Sequence, residues 1–200
     1  PAWDLVTGQM AAVGLLAAER HRLKTGQGQH VKLPLEDVAL AAVSHLGLIA
    51  EAQLGYQRER HGNELFGAFG RDFKTADGER VIIVGLTLKQ WQAICEAMGL
   101  NEAVRALGEL RGLNLDLEGH RFKARKELGV MVEHWMAQRS YAEATAALTK
   151  HGACWGKYQT LMQLVTQDEA CSPTNPMFST IDQPGVGKYL AAGLPLNFSG

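Results

Sequence analysis

Residues 3–24 read as a helix with almost no polar face. Leu5, Met10, Val13, Leu16 and Leu23 recur near the 3.6-residue period, and Ala11, Ala12, Ala17 and Ala18 keep its surface narrow. A helix that is apolar nearly all round packs on more than one side. Asp4 sits where a carboxylate caps or charge-stabilises a helix start, Arg22 and Lys24 sit where cations complement its end, and Gly26 stops it. Residues 38–54, opened by Glu36 and Asp37, read as a second buried, alanine-rich helix, in which His45 is a core or interface polar group. Between the two helices, residues 25–29 form a turn. Residues 30–35 alternate like a short strand, with Pro34 marking an edge or an end.

The clearest shift in composition follows. Residues 56–61 are strongly polar, with Arg58, Glu59, Arg60 and His61 in a row, and then comes Gly-Asn-Glu-Leu-Phe-Gly-Ala-Phe-Gly at 62–70. Glycine permits positive φ and close approach of a ligand to the backbone, so this stretch is the leading candidate for a cover over a site. Beyond it, Phe73, the Asp77-Gly78 pair and Val81 to Val84 fit a hairpin. Thr87 opens a helix that buries Leu88, Trp91, Ile94, Cys95 and Met98 and ends at Gly99. Residues 120–138 predict another helix. Ser140 with Glu143 three residues later is a capping box for residues 141–150. In the tail, Leu161, Met162, Leu164 and Val165 make a helical turn or two. After that, Pro173, Pro176, Pro184 and Pro195 predict extended connections with little regular structure.

Charge and composition exclude several function classes. Twenty Lys+Arg against 21 Asp+Glu give a net charge of −1, which offers no whole-chain attraction to nucleic acid or to an anionic membrane. No apolar run reaches membrane-spanning length. Three cysteines, at 95, 154 and 171, lack paired spacing, so disulfide and zinc frameworks are poor readings and a reducing, cytoplasmic setting is expected. Pro1 is not an initiator residue, which points to a chain that begins after processing or inside a longer protein.

Titratable residues yield few constellations. The seven histidines are scattered without metal-ligand spacing, so no metal site is expected, and His61 is of interest only as a ligand contact beside the glycine loop. Asp4 is better explained as a helix-start residue than as a nucleophile, and Asp77 by its turn. Cys154 reads as a small buried thiol. Arg121, Lys123, Arg125 and Lys126 oppose the helix dipole but still read as a solvated face, and Trp91 and Trp135 read as core.

In their order, the motifs resemble the family III CoA-transferases, also called the CaiB/BaiF family. The resemblance runs through Asp4-Leu5-Val6-Thr7-Gly8, Leu16-Ala17-Ala18-Glu19-Arg20 and Thr25-Gly26-Gln27-Gly28-Gln29. It continues through Gly62-Asn63, Asp77-Gly78, Ser140-Tyr141-Ala142-Glu143 and the closing segment from Gly193 to Ser199. The resemblance implies an α/β fold with Rossmann-like large-domain segments, an inserted small α+β domain and an interlocked homodimer. On this chain, residues 1–65 would end the first large-domain segment, 66–150 form the small domain, and 151–200 return toward the large domain.

The activity implied is transfer of CoA between an acyl-CoA thioester and a carboxylic acid, intermolecularly or within one molecule as in mesaconyl-CoA isomerases. It proceeds through aspartyl anhydride and aspartyl-CoA intermediates. The nucleophilic aspartate is expected upstream of Pro1, and CoA enters as substrate, with no permanently bound cofactor. Gly62, Asn63, Gly67, Phe69 and Gly70 match the substrate-covering region. Phe69-Gly70 stand where many members have Pro-Tyr, and Gly152-Ala153-Cys154 where Gly-Val-Pro is common, which marks a divergent branch. Two other readings stay open: an acyl-CoA racemase or isomerase working by proton abstraction, and a non-catalytic CoA-binding or oligomerisation module.

Overall fold

The computed structural model describes residues 2–196 and 198; of the closing segment read above, Asn197 and Ser199 lie outside the described residues, as do Pro1 and Gly200. The chain divides into two compact units, residues 1–60 and 61–200, each described by itself.

The first unit is helical. α1 (Ala2–Thr25) carries Asp4 in its first turn and Arg22 and Lys24 in its last, and stops at Gly26 with φ 75°. None of its residues is buried, and Leu5, Val13, Leu15, Leu16 and Leu23 are all well exposed. α2 (Leu35–His45) and α3 (Leu48–Gln53) replace the single helix expected over 38–54. Gly47, left-handed at φ 80°, separates them, and Val38 is the only residue of α2 that is buried. His45 lies exposed in this chain. Residues 30–35 do not form the expected strand. No described strand pairs with them, and Pro34 serves instead as the N-cap of α2.

The second unit is mixed α/β. β1 (Phe69–Lys74), β2 (Arg80–Gly85) and β3 (Cys154–Lys157) form an antiparallel sheet in that order. The sheet therefore takes its third strand from beyond residue 150. Asp77-Gly78 turns the β1–β2 hairpin with Gly78 at φ 89°, and Asp77 accepts hydrogen bonds from Thr75 Oγ1 at 2.5 Å and from Tyr141 N at 3.0 Å. That second bond ties the turn to the start of α8 (Tyr141–Lys150), whose Ser140–Glu143 capping box forms as its spacing predicts.

α4 (Leu88–Met98), which opens with a Thr87–Gln90 capping box, packs on β2 and α8. α5 (Asn101–Arg111) follows. The helix expected over 120–138 is broken at Ala124 into α6 (Glu118–Lys123) and α7 (Arg125–Ala137). The core gathers Phe69, Phe73, Val81 and Ile83 from the sheet with Trp91, Ile94, Leu128, Val132, Met136 and Leu148 from the helices. Trp91 and Trp135 belong to it, as their spacing predicts. Leu88 stays 40% exposed, and Cys154 is exposed rather than buried because it begins the edge strand β3.

The tail is more regular than its prolines suggest. α9 (Leu161–Gln167) is capped by Thr160, and β4 (Phe178–Gln183) pairs antiparallel with β5 (Gly187–Ala192). Pro184 and Gly185 are the turn between them. Val186 N donates to Gln183 O at 3.0 Å, and Gly185, at φ 80°, supplies the left-handed third position that a Pro-Gly turn requires.

Candidate active-site loop

The glycine-bearing segment runs through residues 61–68 into β1. Gly62 (φ 61°) and Gly67 (φ 82°) take left-handed conformations that cost other residues about 1–2 kcal/mol. Glu64 N donates to His61 O at 3.1 Å, and Leu65 N donates to Gly70 O at 2.7 Å, folding the loop back over the start of the strand. Glycine here sets a shape rather than slackness, because two side-chain anchors hold the loop.

The first anchor is Asn63. Its Nδ2 donates to Asp72 Oδ1 at 2.9 Å and to the Tyr158 hydroxyl at 3.1 Å. Asp72, only 4% exposed, takes the Arg80 guanidinium on its other oxygen, with Nε at 2.7 Å and a second contact from the terminal nitrogen. Burial opposes ionisation of Asp72, but the hydrogen bonds from Asn63 and Arg80 outweigh it and hold the carboxyl below its ordinary range.

Glu64 makes the second anchor. Its Oε2 accepts from Arg125 Nε at 2.7 Å, with both side chains largely shielded from solvent. The Arg125 guanidinium lies 4.3 Å from the centre of the Phe122 ring and 3.5 Å from His61 Nδ1. His61, Phe66 and Phe122 close a three-ring cluster with centroids 5.1–5.9 Å apart.

Of the residues expected to cover substrate, the structure brings Gly62, Asn63 and Gly67 together in this loop, with His61, the expected ligand contact, at its start. Phe69 and Gly70 are different: they are the first residues of β1 and are buried. Phe69 is 1% exposed and meets Trp91 edge to face at 5.2 Å, so its side chain belongs to the core. Asp4 lies in the first turn of α1, in the other unit.

Two members of the basic cluster correct the solvated-face reading. Arg125 holds the loop. Arg121 is fully buried and donates to Leu115 O at 3.1 Å, Asp116 O at 2.8 Å and Leu86 O at 2.7 Å. Arg125 opens α7, where its charge opposes the dipole, whereas Arg121 lies in the last turn of α6 and not at the helix start expected from the sequence. Asp72, Arg80 and Tyr158 carry no sequence signal, since their partners lie on other elements, Asn63 in the loop and Asp72 and Arg80 on facing strands.

A groove of about 570 Å³ opens between α4, α5 and residues 113–116, with Cys95 in its wall. Burial pushes the Cys95 thiol up to about 12, so it is no nucleophile at neutral pH. Among the described residues no three His, Cys, Asp or Glu side chains converge to hold a metal, and no helix is long and apolar enough to cross a membrane.

The sequence model of CoA-transferase family III matches residues 1–200. The chain is 52% identical over 200 residues to 2-methylfumaryl-CoA isomerase of Chloroflexus aurantiacus, covering all of this chain and 49% of that protein. It is 36% identical over 96 residues to succinyl-CoA:mesaconate CoA-transferase of Haloarcula marismortui, covering 48% of this chain and 24% of that one. Among solved structures it resembles Rv3272 of Mycobacterium tuberculosis, with a TM-score of 0.67 and 20% identity over 96% of this chain and 48% of that chain. It also resembles a CaiB/BaiF family protein from Brucella suis, with a TM-score of 0.62 and 22% identity over 96% of this chain and 47% of that chain. The chain spans about half the length of the curated relative that it matches from end to end.

Proposed function

The chain belongs to CoA-transferase family III, and from that membership we propose that it forms part of an enzyme that moves CoA between the two carboxyl groups of 2-methylfumarate. One observation carries the choice of substrate: the 52% identity to the Chloroflexus isomerase extends over all 200 residues.

Chemistry makes the assignment self-consistent. 2-Methylfumarate has two inequivalent carboxyls, one beside the methyl-bearing carbon, so a single molecule is both CoA donor and CoA acceptor. An aspartate outside this chain attacks the thioester carbonyl, giving a mixed anhydride and CoA thiolate. The thiolate attacks the aspartyl carbonyl, leaving aspartyl-CoA and the free diacid. The diacid's other carboxylate attacks that thioester, releasing the thiolate and forming a second anhydride. The thiolate then takes the substrate carbonyl and frees the aspartate. Nothing is consumed, and the product is an isomer.

Such a sequence demands that the diacid stay in place while CoA rides on the enzyme, which is the work of a closed cover. The loop at 61–68 suits that role: it is shaped by glycines yet held at Asn63 and Glu64. In this reading residues 1–65 end a large-domain segment, 66–150 form the small domain and 151–200 return. The exposed apolar side chains of α1 pack in an interlocked homodimer.

The test supplies the full-length gene product with one CoA regioisomer of 2-methylfumarate and no other acid. Conversion to the other regioisomer, without exchange of isotopically labelled free 2-methylfumarate into product, is the expected result. Conversion only on addition of a second carboxylic acid would assign an intermolecular transferase instead.

A further inference from the structure

Asn63 has a fixed polarity. An asparagine amide has a donor end and an acceptor end, and rotation by 180° exchanges them. Here the buried neighbour decides between the two orientations. Asp72 is ionised and pinned by Arg80, so it only accepts, and the Asn63 nitrogen must face it. The second hydrogen of the same nitrogen goes to the Tyr158 hydroxyl. Both donors are therefore spent inside the protein. Among the described residues the Oδ1 of Asn63 receives no hydrogen bond, and Asn63 is exposed.

An outward carbonyl oxygen selects what it meets. It repels a carboxylate, which is also acceptor-only, and it receives an N–H. Of the parts of an acyl-CoA, the unsaturated diacid has no N–H to give, whereas the pantetheine arm carries two amide N–H groups and the adenine, at the far end, an amine. We propose that Asn63 is the loop's acceptor for a pantetheine amide of the CoA substrate, and that Asp72 is a positioning residue that holds Asn63 in the receiving orientation. This rests on the reading of residues 61–68 as the cover of a CoA site.

The experiment measures CoA binding by calorimetry to the full-length gene product, so that it does not depend on turnover. Asn63→Ala weakens CoA about tenfold. Asp72→Asn, nearly isosteric but able to donate, lets the Asn63 amide turn over and weakens CoA several-fold. The double variant weakens it no further than Asn63→Ala alone, because the two act through one bond. Adenosine 3′,5′-bisphosphate, which lacks the arm, binds wild type and Asn63→Ala alike.

If Asp72→Asn does not fold, Tyr158→Phe removes the other acceptor of the same nitrogen, and a two- to threefold weakening is expected. Several results would overturn the proposal: additive losses in the double variant, equal weakening of the bisphosphate, or a lowered melting temperature with unchanged CoA affinity. Wild type that binds CoA without isomerising 2-methylfumaryl-CoA rejects the reaction assignment alone, and wild type that binds no CoA rejects both.

Discussion

Replacing Arg121 by Met destabilises the protein by at least about 3 kcal/mol, although the two side chains are similar in volume. Arg121 is fully buried, and its guanidinium reaches three carbonyl oxygens, on Leu86, Leu115 and Asp116. Methionine fills much of the space but donates nothing, and each carbonyl deprived of its donor costs about 1–3 kcal/mol where water cannot replace it. Lysine recovers less than half of the loss, since one ammonium on a flexible stem cannot span a fork of three acceptors. Urea unfolding of the full-length gene product measures this as a lower midpoint at unchanged slope. A loss below about 1 kcal/mol would mean that the carbonyls find other partners.

The substitution also reaches the loop. Arg121 ties the end of β2 to residues 115–116 and to α6. Phe122 and Arg125, one and four residues further on, hold His61, Phe66 and Glu64. A buried cation thus sets the floor on which the loop at 61–68 rests.

The second large effect is expected from Gly70→Val. A Cβ at Gly70 would meet Ile83 O at 3.0 Å, Val84 Cα at 3.3 Å and Leu65 Cβ at 3.3 Å. The first two are backbone atoms of the partner strand, held by the β1–β2 ladder, and give by only a few tenths of an ångström. Leu65 lies on the loop, so the loop yields. Turnover of the full-length gene product falls at least tenfold, equivalent to about 1.4 kcal/mol in the barrier, while circular dichroism remains that of the wild type. Gly67→Val probes the same loop differently. Nothing lies within 4 Å of a Cβ there, and only the backbone at φ 82° resists it. Wild-type turnover in a folded Gly70→Val protein would show that displacing the loop base does not matter to catalysis.

What could be read from the sequence follows the range of the interactions. Ser140 with Glu143, Asp77 with Gly78, and Gly99 after α4 each act within four residues, and each forms where its spacing says. The apolar period through Trp91, Ile94 and Met98 marks a helix face that the structure buries. Local punctuation was ambiguous where one signal serves two structures. Pro184-Gly185 reads as a loop but is also the turn of a hairpin, and that hairpin shows only once β4 and β5 are paired. Residues 30–35 alternate like a strand, yet alternation makes no strand without a partner to take its N–H and C=O groups.

The site divides the same way. Gly62, Gly67 and Asn63 stood out because a glycine-rich run is visible in one dimension. Glu64 and Arg125, 61 positions apart, and Asn63 and Tyr158, 95 apart, meet only through the fold. Positive charge in the last turn of α6 carries no mark that separates Arg121, sunk in the core, from Lys123, exposed to solvent.

The most direct test of the proposed chemistry is to trap the enzyme during turnover. The full-length gene product is mixed with 2-methylfumaryl-CoA, quenched with hydroxylamine, digested and sequenced by mass spectrometry. An aspartyl hydroxamate on a single peptide outside residues 1–200, absent without substrate, is the result expected. A protein that interconverts the regioisomers while every aspartate stays unmodified would contradict covalent transfer through an aspartyl intermediate.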